Sequence, residues 1–83
     1  MTGPLSVLFS ENGLSDLPIT LIEPHRNREG VWRIKFCYAD GEPLSMSSIQ
    51  ASALASDLHQ MGEAQLVNEI DDAVRSAKRY CSM

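Results

Sequence analysis

The 83-residue chain carries no Lys or Arg between residues 36 and 74, although that stretch holds seven acids. A basic surface spread over the whole molecule is thereby excluded, and the formal charge of −4 argues against generic affinity for nucleic acid. Cysteine is scarce as well. Cys37 and Cys81 stand in different contexts and read as reduced thiols rather than as a disulfide framework. No run approaches the roughly 20 apolar residues of a membrane span, and no basic segment followed by an apolar run opens the sequence. These absences lead to the expectation of a cytoplasmic protein with no membrane partner.

Catalytic motifs are missing too. His25, His59, Cys37 and Cys81 form no pair of the C-x-x-C or H-x-x-x-H type, so no metal site and no cofactor are expected. His25 precedes a predicted strand whose far end holds Cys37, about 20 Å away at the rise of an extended chain, too far for a Cys–His nucleophile. Ser45, Ser47, Ser48 and Ser52 lie in no G-x-S-x-G elbow, and Gly41 and Gly62 are too isolated to cradle a phosphate. Glu69, Asp71 and Asp72 read as the solvated face of a helix, with Asp71 four residues before Arg75. The sequence therefore predicts no catalytic, cofactor-binding or metal-binding residues and no enzymatic activity.

What is present is the composition of a folded domain, 43% hydrophobic and 22% charged. At this size the core leaves a thin surplus over conformational entropy, so pairing with a protein partner or with a second copy, as in a homodimer, is expected. Residues 1–17 read as an N-terminal arm with a possible short edge strand, because Leu5, Val7 and Phe9 alternate between breaker clusters. Residues 18–83 read as one α+β domain.

Within that domain, residues 19–23 form a β-branched strand between Pro18 and Pro24, and residues 24–30 a polar loop. Residues 31–38 alternate, with Trp32, Ile34, Phe36 and Tyr38 on one face and Val31, Arg33, Lys35 and Cys37 on the other. A three-residue turn at Ala39-Asp40-Gly41 pairs Phe36 with Leu44 and Ile34 with Met46. A two-residue turn would place Leu44 and Met46 on the charged face. Ser47 and Gln50 fit a capping box that opens a helix with an inner stripe of Ala51, Leu54, Ala55, Leu58 and Met61. Gly62 ends it. A second helix over 63–80 carries Leu66, Val67, Ile70, Ala73, Val74, Ala77 and Cys81 on one stripe, with acids toward its start and Arg75, Lys78 and Arg79 toward its end. The order is β-β-β-α-α: a three-stranded antiparallel sheet followed by two helices. The expected core is Trp32, Ile34, Phe36, Leu54, Leu58, Leu66, Ile70, Val74 and Ala77.

Basic residues gather in one place. Arg26, Arg28, Arg33 and Lys35 stand against Glu29 alone in residues 25–35, which makes them the candidate partner-binding residues. The run Gly30-Val31-Trp32-Arg33-Ile34-Lys35-Phe36, continuing through Asp40-Gly41 to Leu54-Ala55, resembles the sheet-and-helix pattern of arm-type integrase and plant AP2 domains. That resemblance implies a nucleic-acid-binding sheet face carrying Arg33 and Lys35. The leading expectation is instead a small non-catalytic protein-interaction or regulatory module.

Overall fold

The structure, a computed structural model, describes residues 4–14 and 18–81. Its elements are α1 (Pro4–Glu11), β1 (Ile19–Arg26), β2 (Trp32–Tyr38), β3 (Leu44–Met46), α2 (Ser48–Gln60) and α3 (Ala64–Cys81). The strands form one antiparallel sheet in the order β1-β2-β3, so the expected β-β-β-α-α arrangement is present. It is preceded by a helix the sequence reading did not foresee.

That helix corrects the reading of residues 4–11 as arm or edge strand; the rest of the expected arm, residues 1–3 and 15–17, lies outside the described residues, as do 82–83. Leu8 and Phe9 are buried and Leu5 packs beside them, a spacing of three and four that one side of a helix satisfies and a strand does not. The supposed breakers are its boundaries. Pro4 occupies the first turn, where a missing N–H costs nothing. At the other end the Gly13 amide donates to the Ser10 carbonyl and the Leu14 amide to the Phe9 carbonyl, at 3.1 and 2.7 Å.

β1 also runs further than expected, through Pro24 to Arg26. The Asn27 amide donates to the Val31 carbonyl at 2.9 Å, which makes that a hydrogen-bonded pair. Alternation along an antiparallel ladder then makes Pro24–Ile34 a pair whose backbone groups point outward. Proline's missing N–H falls on the free edge of the sheet and costs no ladder bond. Near its start β1 holds one extra residue, since Ile19 pairs with Tyr38 but Leu21 with Cys37. The bulge turns both Ile19 and Ile22 toward the core and leaves Leu21 outside.

The β2–β3 hairpin follows the hydrophobic pattern: Ile34 pairs with Met46, Phe36 with Leu44, and Gly41 has φ +93°. Ser47 caps α2, its hydroxyl accepting from the Gln50 amide at 3.1 Å. The capping box is not completed. The Gln50 side chain reaches Asn12 instead, donating to its carbonyl at 3.5 Å and its Oδ1 at 3.4 Å, and so ties α2 to the end of α1. Met61 departs from the predicted stripe; it is the C-cap of α2 and is exposed.

α3 lies across β1 and β2, while α2 packs chiefly on α3 and touches β2 less. Ile34, Phe36, Leu54, Leu58, Ile70, Val74 and Ala77 are buried as expected, whereas Trp32 and Leu66 are half-buried at the margin of the core. The helices reverse at Gly62, whose φ is +81°. The Glu63 amide donates to the Leu58 carbonyl and the Gly62 amide to the His59 carbonyl, at 3.0 and 3.1 Å. A β-carbon at Gly62 would meet nothing within 4 Å, so a substitution there strains only the backbone. Gly62→Ala is expected to destabilise by about 1 kcal/mol without changing the fold, measured by urea denaturation.

Candidate functional site

The register separates the four candidate basic residues. Arg33 and Lys35 share the open face of the sheet with Glu23 and His25: His25 pairs with Arg33, and Glu23 with Lys35. Arg33 reaches over β3, its Nε donating to the Ser45 hydroxyl at 3.3 Å and its Nη2 to the Ser45 carbonyl at 3.4 Å. Arg26 belongs to the other face, opposite Trp32, and its guanidinium lies over Gly30, with Nη2 3.4 Å from where a β-carbon would sit. Arg28 is exposed at the tip of the β1–β2 turn.

The turn itself is firmly built. The Asn27 side-chain oxygen accepts from the amides of Glu29 and Val31, at 3.0 and 2.9 Å, and the Gly30 amide donates to the Asn27 carbonyl at 3.0 Å.

The structure also joins residues far apart in sequence. Tyr80, near the end of α3, stacks on Trp32, with ring centroids 4.8 Å apart and planes inclined by 28°. This brings the last turn of α3, with Lys78 and Arg79, to the end of the sheet that carries Arg26 and Arg28. Beside the aromatic pair is a groove of about 280 Å³ lined by Gly30, Val31, Trp32, Ser48, Ala77, Lys78 and Cys81. Val31 is 51% exposed on its rim. A larger groove of about 580 Å³ opens between α1 and the end of α2, lined by Val7, Leu8, Glu11, Asp57, Gln60 and Met61. Val7 and Met61 are 45% and 41% exposed there. Both sites escaped sequence reading, the first because it needs the long-range stack and the second because α1 was not read as a helix. Ile49, on the first turn of α2, is 84% exposed, and nothing in the packing accounts for it.

Among the described residues, potential reactive groups do not converge. His25 pairs with Arg33, which sets Cys37 four residues further along β2, roughly 13 Å away. Ser56, His59 and Asp71 line one open groove between α2 and α3, with no hydrogen bond joining them among the described residues. Among the described residues no group of three or more His, Cys, Asp or Glu could hold a metal ion, and no polar or charged side chain is buried. No described helix is long and apolar enough to cross a membrane. No family model, curated protein or solved structure matches the chain.

Proposed function

We propose that this chain is a non-catalytic interaction module that docks to protein surfaces. The observation that carries the reading is the end of the sheet where Val31 and the Trp32–Tyr80 pair stand exposed or half-exposed beside Arg26, Arg28, Lys78 and Arg79. Aromatic anchors with arginines around them are the chemistry of protein-binding surfaces, where a few such side chains supply most of the affinity. The free thiols Cys37 and Cys81 suit a reducing compartment, and we place the protein in the cytoplasm on that ground.

The alternative reading lays the open sheet face on nucleic acid through Arg33 and Lys35. It is the weaker one, because Glu23 stands opposite Lys35 and Arg33 is already engaged by Ser45. The test is capture from the native cell extract with the wild-type chain and with Val31→Asp, each with and without nuclease. The interaction-module reading expects a retained protein that survives nuclease and is lost with Val31→Asp. Retention that disappears with nuclease would favour the alternative. In that case DNA affinity measured by anisotropy should fall steeply with salt, and charge removal at Arg33 and Lys35 should flatten the slope by about one unit each.

A further inference from the structure

We infer that the surface at the β1–β2 tip and the groove between α1 and α2 are two halves of one contact, so that copies of this chain associate end to end. The inference rests on the interaction-module reading and names the partner as a second copy. The two surfaces sit at opposite ends of α2: Ser48, at its start, lines the groove beside Trp32, and Met61, at its end, lines the groove beside Val7. Thirteen residues of helix hold them about 20 Å apart. A single molecule therefore cannot bring its tip to its own groove.

Their charges are opposite. The tip carries Arg26 and Arg28 against Glu29, with Lys78 and Arg79 close by on α3, whereas the groove holds Glu11 and Asp57 and no Lys or Arg. The rest of the fold follows the same axis, because the acids Glu69, Asp71 and Asp72 fall in the first half of α3 and Arg75, Lys78 and Arg79 in the second. Asp40 and Glu42 occupy the β2–β3 loop, at the end of the sheet away from the tip. Each end also exposes apolar surface, Val31 at the tip and Val7 and Met61 in the groove. The complement of either end is thus the other end.

Symmetry narrows the choice between a closed pair and an open chain. A two-fold dimer through the tips alone would set cations against cations, and one through the grooves alone would set carboxylates against carboxylates. A side-by-side pair with each tip in the other's groove would stop at two chains, the outcome that sedimentation separates from an open chain. The head-to-tail contact seats Val31 of one copy on Val7 and Met61 of the next, with Arg26 and Arg28 facing Glu11 and Asp57. It leaves a free tip at one end of the assembly and a free groove at the other, so growth does not stop at two. The tip is held by the Asn27 hydrogen bonds and docks without first being ordered. End faces on a body of 44 × 27 × 19 Å are small. The contact belongs with transient interfaces, below about 1,200 Å² in total, and forms only at high protein concentration.

Sedimentation of the full chain across a concentration series tests this. The weight-average mass should rise above the monomer's 9.2 kDa without levelling off at two chains. It should return to the monomer at about 0.5 M salt, where exposed charges are screened. Arg28→Glu and the double variant Glu11→Lys with Asp57→Lys change only exposed positions, so each should keep the wild-type circular dichroism spectrum. Each alone should stay monomeric, and an equal mixture should associate again, because the native groove of the first accepts the native tip of the second. Any of four results overturns the inference: wild type at monomer mass throughout, a mass that levels off at two chains or does not respond to salt, a variant that associates alone as wild type does, or a mixture that stays monomeric. A monomeric wild type that still captures a foreign protein through Val31 would remove the end-to-end contact and leave the interaction-module reading standing.

Discussion

Ile70→Ala is expected to remove about 2–5 kcal/mol of stability, the range for truncating a fully buried aliphatic side chain. Ile70 is 0% exposed, in the stretch of α3 that lies on the sheet and against α2. A cavity there is lined from both sides, and rigid elements close over it poorly. A domain of this size holds only about 4–12 kcal/mol in total, so the loss is a large share of what keeps it folded. Thermal unfolding followed by circular dichroism should show the midpoint lowered by roughly 10 °C or more. An unchanged midpoint would mean that α3 does not pack on the sheet through this residue.

Phe9→Ala should cost a comparable amount, about 3 kcal/mol or more, although Phe9 belongs to the segment that looked least structured in sequence. Phe9, Leu8 and Leu14 join the same buried cluster as Phe36 and Leu58. Urea denaturation provides the measurement, read through both the midpoint and the slope. A lower midpoint with the slope kept shows α1 unfolding together with the rest. A small loss with a reduced slope would show instead that α1 detaches before the domain unfolds.

The contrast between these residues explains what could be read in advance. Ile70 sits on a long stripe with charges sorted toward the two helix ends, a pattern that only an amphipathic helix satisfies. The β2–β3 register was equally legible, because a slip of one residue would have put Leu44 and Met46 on the side of Arg33 and Lys35. Phe9 had no such advantage. In eight residues a few apolar side chains fit either a strand or a helix, and what separates the two is burial in the common core, which is a tertiary fact. Pro24 misled for a different cause: whether a proline ends a strand depends on which way its nitrogen faces, and that is set by the partner strand. The four basic residues were identified as a group, but their division between the two faces follows from β1 continuing past Pro24. The pairing of Trp32 with Tyr80 was out of reach, since no local pattern links residues that far apart.

The layout of the chain also governs how fast it can form. β1, β2, β3, α2 and α3 each lie beside the element that precedes or follows them, so the two hairpins and the helix pair require only short loops to close. The helices on the sheet are the exceptions, and among them α3 on β1 joins segments separated by about 50 residues and carries the largest closure entropy. Folding should therefore wait on that docking, with α3 and β1 meeting late among pieces already assembled. Damage at the turns, which are formed before that docking, would slow refolding and leave unfolding nearly unchanged, whereas damage to the docking contact would divide between slower refolding and faster unfolding.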